Sequence, residues 1–226
     1  MNSYLTLLKV EKNMGATHIF VLPSYTAVHW ERGLFHPWLF KKVQFSNFEK
    51  ILMPVNVNGN HWVLFVADMV YKTVGVLDSL GGSHEFKYIT YWRKFLETRK
   101  QHVTETIPGP WTLEPYPTNL QTDGNSCGVF TLMNAECLVK NEPVNIMRQV
   151  HVPAFRRHVR SAILAKGQRK TDRYCDWPEC SSRRGHQRWI QCSVCGRWFH
   201  TRCVAIPIKA AIEEDFECVF CCAIYH

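Results

Sequence analysis

Eight of the ten cysteines fall between residues 175 and 222, and only Cys127 and Cys137 precede them. Spread evenly through a small secreted chain, ten cysteines would suggest disulfides. Crowded at one end, they suggest metal ligation. Cys175-x4-Cys180, Cys192-x2-Cys195, His200-x2-Cys203 and Cys218-x2-Cys221 form four pairs. Eight ligands are what two tetrahedral zinc sites require. Cys222 competes with Cys221, but the two-residue gap favours Cys221. A segment of about fifty residues builds little core, so the first role of the metal is to hold it folded. The clustering divides the chain into a domain at 1–166, a short linker at 167–173 and a zinc-binding domain at 174–226. The boundary lies in AKGQRKTDR, which is polar, contains a glycine and lacks apolar periodicity.

The first domain is long enough to pack a core, and the whole chain is 46% hydrophobic. The opening MNSYLTLLKVEKN lacks a basic stretch followed by an apolar one, and no run of about 18 apolar residues occurs, so neither export nor a membrane partner is expected. Residues 1–166 carry net charge +6 and the remainder +2. Seven thiolates on two zinc ions would bring the second part to about −1. From Arg148 to Lys170 there are seven basic residues and no acidic one. The segment is either a solvated helix face with a basic tail or a patch for nucleic acid or an acidic protein.

In the first domain, helices are expected at TLLKV (6–10) and HPWLFKKV (36–43). THIFVLP (17–23) and KILMPVNV (50–57) are expected strands, the latter ending at the turn signal Asn58-Gly59. HWVLFVADMV (61–70) and TVGVLD (73–78) are nearly continuous apolar runs, as in strands buried on both faces, with Tyr71-Lys72 between them. Residues 84–100 have helical spacing that puts Phe86, Ile89, Trp92 and Phe95/Leu96 on one side, and VFTLMNAECLV (129–139) is apolar all round, the mark of a central helix.

That central helix follows QTDGNSCGVF (121–130). Asn125 and Ser126 are good N-cap residues, which places Cys127 in the first turn, where the positive helix end and its unpaired N–H groups favour a thiolate. Gly128 leaves room for a substrate carbonyl. A nucleophile needs a base and an orienting group, and His61 opens one buried strand as Asp78 closes the next. Spacing alone does not bring them together: a His beside Trp62 also suits a core, and an Asp before Ser-Leu-Gly-Gly also suits a turn.

NHWVLFVADMVYKTVGVLDSLGG together with QTDGNSCGVF resembles the sentrin-specific, ubiquitin-like-protein proteases, papain-like cysteine peptidases with a signature of His-Trp, Asp-Ser and Gln-x5-Cys-Gly; the likeness spans roughly residues 1–140. It implies an α+β fold: a papain-like domain with a central mixed sheet and the nucleophile at the N-terminus of a buried helix. By resemblance His61 is the general base, Asp78 orients it, Cys127 attacks, and Gln121 joins the backbone N–H of Cys127 around the oxyanion. Trp62 covers the substrate's C-terminal diglycine. No cofactor is implied for catalysis. The relatives carry a Trp-Leu-Asn-Asp segment ahead of the first helix whose Trp forms the opposite wall. Here MNSYLTLL stands about where that segment would end, so either the sequence starts short or another aromatic such as Trp30 substitutes.

The order of four cysteines, one histidine and three cysteines, with WFH before the sixth ligand, resembles a plant homeodomain (PHD) finger. The resemblance implies a cross-brace in which Cys175, Cys180, His200 and Cys203 hold one zinc and Cys192, Cys195, Cys218 and Cys221 the other. It also implies histone-tail recognition, for which methyl-lysine would need aromatic faces. Trp189, on a strand beside the second ligand pair, and Tyr174 are candidates. Trp198 is a third, though core is its expected place. The implied function is a nuclear cysteine peptidase, with the cytoplasm as the alternative location, that removes a SUMO-like protein from lysine. An inactive chromatin adaptor that docks a ubiquitin-like protein and a polyprotein-processing peptidase of a mobile element are the alternatives.

Overall fold

The computed structural model describes residues 1–12, 19–36, 40–41, 43–82, 84–167, 175, 177, 180, 188–192, 198–207, 216 and 218. The chain forms two compact units, the larger made of Met1–Leu39 and Phe45–Ala165 and the smaller of the remaining residues.

The larger unit is built on a five-stranded sheet: β1 (Ile19–Val21), β2 (Lys50–Val57), β3 (His61–Asp68), β4 (Thr73–Leu77) and β5 (Thr112–Leu113), hydrogen-bonded in that order. The outer pairs are parallel and the two inner pairs antiparallel, so the sheet is mixed. Its central strands are the apolar runs of the sequence, and every residue of β4 is buried. The hairpin between β3 and β4 is closed by Asp68, whose Oδ1 accepts from the N–H groups of Val70 and Tyr71 at 3.0 Å each, while Lys72 takes the left-handed conformation (φ 57°). Lys50 Nζ holds the other carboxylate oxygen of Asp68 at 2.9 Å.

Helices cover both faces. On one, α1 (Asn2–Lys12), α4 (Cys127–Lys140) and α5 (Val152–Gly167) enclose a core of Tyr4, Leu5, Leu52, Leu64, Val66, Leu77, Phe130, Met133 and Phe155. α4 lies against β3 and is buried from Cys127 to Val139 except at Gly128, as a helix apolar on all sides must be. It ends at Asn141, a left-handed C-cap (φ 62°) whose N–H bonds the carbonyls of Cys137 and Leu138. The buried Glu136 accepts from the Tyr4 hydroxyl of α1 and from Lys140 Nζ at 2.5 Å, tying α1 to α4. On the other face, α2 (Tyr25–Glu31) and α3 (Glu85–Lys100) bring Trp30, Tyr88, Trp92 and Phe95 against Phe65 and Phe45. Each such buried ring contributes about 1.5–3 kcal/mol through the area it removes from water.

The structure corrects several expectations. The helix lies at Tyr25–Glu31 rather than at 36–43. Of those eight positions His36, Phe40, Lys41 and Val43 are described, and none is helical; Phe40 has φ 58°. An apolar run that short cannot be assigned by periodicity alone. Phe86 is 72% exposed instead of buried, because it sits about 120° around α3 from Trp92. Trp30 does not substitute for a substrate-wall aromatic: it is fully buried between Phe65 and Phe95. Ser126 occupies the N-cap position of α4 but makes no side-chain cap bond.

In the smaller unit, β6 (Trp189–Gln191) and β7 (Trp198–His200) form an antiparallel ladder, with Trp189 opposite His200 and Gln191 opposite Trp198. Among the described residues its buried hydrophobic cluster consists of Cys175, Cys180, Ile190, Cys192, Phe199, Phe216 and Cys218. Four of these seven side chains are thiols. Trp198 departs from expectation, since it is 46% exposed: strand alternation turns it opposite to the buried Phe199.

Candidate active site and metal centre

The β3–β4 register explains how His61 and Asp78 meet across 17 residues. Leu64 pairs with Leu77, so one further step sets Asp78 opposite Val63, with His61 two residues on along the same side of the sheet. Diagonal neighbours of this kind are within reach of long side chains. His61 Nε2 lies 2.6 Å from Asp78 Oδ1. Binding Nε2 to the carboxylate fixes the tautomer in which Nδ1 is the basic nitrogen. Asp78 is 5% exposed, and the backbone N–H groups of Leu80 (2.7 Å) and Gly82 (3.1 Å) also donate to it. Donors on both oxygens hold the orientation of the buried carboxylate.

Trp62, one residue along the pleat, turns to the α4 face. A Cβ on Gly128 would lie 3.5 Å from Trp62 Cδ1 and 3.4 Å from Met1 Cε. The indole and the first turn of α4 therefore face each other, and Cys127, 8% exposed, opens onto a cleft of about 480 Å³ bounded by Met1, Trp62, Leu132, Phe155, Arg156 and Arg160. Cys127 Sγ makes no hydrogen bond to His61 among the described residues.

The loop before Cys127 is organised by a residue the sequence reading did not single out. Asp123 accepts the N–H of Asn125 (3.2 Å) and of Ser126 (3.0 Å) on Oδ1, and the Ser126 hydroxyl (2.7 Å) and Gln149 Nε2 (2.8 Å) on Oδ2. The Ser126 hydroxyl, foremost among these donors, holds the Asp123 carboxyl below its usual range. Because that hydroxyl points to Asp123, it leaves the N–H groups of Cys127 and Gly128 uncapped, as an anion site needs. An Asp three residues before a serine at a helix start is the available sequence signal for this loop.

Gln121 is set just as firmly. Its N–H donates to the Ser79 carbonyl at 2.8 Å, its Oε1 accepts the Ser79 hydroxyl at 2.7 Å, and its Nε2 donates to the Asp123 carbonyl at 2.6 Å. A primary amide has two N–H donors, and the loop carbonyl uses one. Ser79, next to Asp78, thus couples the carboxylate loop to the glutamine. Arg156 adds a further restraint, donating to the Asn125 carbonyl at 2.9 Å from α5.

In the smaller unit, the ligand atoms of Cys175, Cys180, His200 and Cys203 all lie within 4.8 Å of one another. His200 Nδ1 is 3.4 Å from Cys180 Sγ and 3.6 Å from Cys203 Sγ, and the His200 N–H donates to Cys175 Sγ at 3.2 Å. Ligands at about 2.0–2.3 Å from a tetrahedral zinc are spaced in this range, so the donor set fits the metal. Desolvation, reinforced by the Cys180 and Cys175 sulfurs, pushes the Cys203 thiol up to about 11, and a bound dication favours its thiolate instead. Of the second predicted set, Cys192 and Cys218 are both fully buried, with the Cys218 N–H 3.4 Å from Cys192 Sγ. Cys195, Cys221 and the cage candidate Tyr174 lie outside the described residues. The Trp189 ring packs on the His200 imidazole with centroids 4.2 Å apart.

A mixed sheet between helical layers, with a cysteine opening a buried helix, is the α+β architecture of a papain-like cysteine peptidase, here followed by a metal-binding finger. Residues 27–170 match the Ulp1 protease family, C-terminal catalytic domain, and residues 178–221 match the PHD-finger family. The chain belongs to the Ulp1 protease family. Ubiquitin-like-specific protease 1 of Saccharomyces cerevisiae is 32% identical over 131 residues, 55% of this chain and 20% of that protein. Sentrin-specific protease 2 of Homo sapiens is 27% identical over 179 residues, 73% of this chain and 29% of that protein. The chain therefore spans between a fifth and a third of the length of these curated relatives. A stretch of 33 residues, 15% of the chain, is 52% identical to Transcription factor 19 of Sus scrofa, of which it covers 10%. Among solved structures, the C-terminal Ulp1 protease domain in complex with Smt3, the yeast ortholog of SUMO, aligns with TM-score 0.61 at 23% identity, over 74% of this chain and 76% of that one. The Chaetomium thermophilum Ulp1-like SUMO protease catalytic domain aligns with TM-score 0.57 at 22% identity, over 73% and 68%. The structural likeness establishes the fold, and the PHD-finger match over residues 178–221 implies zinc binding by that segment.

Proposed function

We propose that this protein is a cysteine isopeptidase that cleaves after the C-terminal diglycine of a SUMO-like protein. The observation that carries the reading is the 2.6 Å contact of His61 Nε2 with a buried Asp78, at the strand ends beside the Cys127–Trp62 cleft. His61 Nδ1 takes the thiol proton from Cys127, and the thiolate adds to the carbonyl of the terminal glycine. The oxyanion is held by the Cys127 N–H and by the second N–H of Gln121, donors already in place before charge develops. Collapse breaks the C–N bond, and His61 returns its proton to the departing lysine amine. Water, deprotonated by His61, then cleaves the thioester and releases a carboxylate. Trp62 covers the diglycine, and Gly128 gives the backbone clearance.

The finger holds two zinc ions in a cross-brace, Cys175, Cys180, His200 and Cys203 on one and Cys192, Cys195, Cys218 and Cys221 on the other, and docks the enzyme on a histone tail in the nucleus. Support for the first site is the four-atom cluster. A panel of ubiquitin-like proteins carrying C-terminal electrophiles tests the peptidase reading. A SUMO-like probe should form a covalent adduct with Cys127, while no adduct with any member of the panel would refute the reading.

A further inference from the structure

The carboxylate of Asp78 has a second imidazole beside it. His84 Nε2 lies 3.3 Å from Oδ2, on the opposite oxygen from the one that meets His61. The N–H of Leu80 donates to Oδ1 and that of Gly82 to Oδ2. The carboxylate is thus enclosed, with one backbone donor and one imidazole at each oxygen. The loop is closed tightly to achieve it. Gly81 has φ +75°, and a Cβ on Gly82 would come within 2.5 Å of Asp78 Oδ2 and 2.8 Å of His84 Nε2. His84 occupies the N-cap position of α3 yet makes no side-chain cap bond, and its imidazole stands against the carboxylate.

We propose that His84 is a positioning residue for catalysis. Its Nε2–H restrains Oδ2 and thereby fixes the carboxylate plane in which Oδ1 meets His61. Without it, Oδ2 keeps only the Gly82 N–H, the carboxylate gains freedom about χ2, and the His61 ring loses the orientation that points Nδ1 toward the thiol. The inference rests on the reading of His61 as general base and extends it to the residue that holds the orienting group.

The test compares His84→Leu, which keeps bulk and removes the donor, with His84→Gln, whose amide N–H stands near the position of Nε2–H. Three quantities are read on the full chain: kcat and KM on a SUMO-like protein with a C-terminal fluorogenic amide, the rate of Cys127 alkylation by iodoacetamide, and the thermal midpoint. Alkylation reports the thiolate paired with His61 without any protein substrate. His84→Leu should lower kcat and the alkylation rate by about tenfold, with KM and the midpoint little changed, and His84→Gln should restore most of both rates. Wild-type rates in His84→Leu, or a His84→Gln variant as slow as His84→Leu, would overturn the proposal. A His61→Ala control separates the two readings. If it is alkylated as fast as wild type, the general-base reading falls and the role of His84 with it. If it is slow while His84→Leu matches wild type, only the His84 proposal falls.

Discussion

At the scale of single residues, the active-site assignment depends on contacts of a few ångströms. Asp78→Asn replaces a carboxylate oxygen with an amide and should lower the hydrolysis rate roughly 10²–10⁴-fold, because the imidazole loses both its orientation and its counter-charge. A wild-type pH–rate profile in that variant would reduce Asp78 to a turn residue. Gly128 makes a different prediction. An added Cβ would stand 3.4–3.5 Å from Met1 and Trp62, ordinary packing distance, so Gly128→Ala should fold normally. It nevertheless fills the space meant for a substrate carbonyl, and kcat/KM should fall at least tenfold with an unchanged thermal midpoint. These residues were legible because the motif fixes their identity. Asp123 and His84 were not, since their importance comes only from what they touch.

At the scale of elements, β4 carries the constraint that places Asp78. Gly75, in its middle, is covered by the Tyr116 ring and the Glu114 carbonyl; a Cβ there would approach them to 2.2 Å and 2.5 Å. Gly75→Ala should therefore destabilise the unit by about 1–3 kcal/mol, read as a lower urea midpoint, and activity per folded molecule should survive. A stability equal to wild type would mean that the β4–β5 edge yields without cost. The strands were easy to read because runs such as TVGVL are buried along their whole length. α2 was missed because seven residues offer too few turns for periodicity to register, although its Trp30 anchors the aromatic core. Phe86 was misplaced for a related reason: helical spacing defines a stripe, but only contact with the sheet shows where the stripe's edge falls.

At the scale of the whole molecule, two units of different physical origin share one chain. The larger is stabilised by buried apolar area and the smaller by metal ligation, so a strong chelator should unfold residues 174–226 and leave hydrolysis of a small C-terminal amide unchanged. Loss of near-ultraviolet signal from the finger tryptophans alongside intact turnover is the expected pair of results; loss of turnover would show that the peptidase depends on the finger. Trp189 links metal binding to tail binding in the proposed finger, because its ring lies on His200, a member of the four-residue donor cluster. If it also forms a cage wall, Trp189→Ala should weaken binding of a methylated histone tail by about 0.5–2 kcal/mol on a peptide array, with hydrolysis of a small substrate unaffected. Wild-type protein that binds no histone peptide would end the reader hypothesis.

The division into two units and the buried strands were legible from the order of residues, because cysteine clustering and apolar runs are local features, and the candidates His61, Asp78, Gln121 and Cys127 were legible through a family motif. Tertiary structure alone decided that diagonal neighbours on β3 and β4 bring His61 and Asp78 within 2.6 Å, that Ser126 gives its hydroxyl to Asp123 and leaves the helix start open, that Trp30 belongs to the core, and that Trp198 faces outward. These outcomes depend on register and on which partner competes best for a donor or a cavity, and such competition is settled only when distant segments pack together.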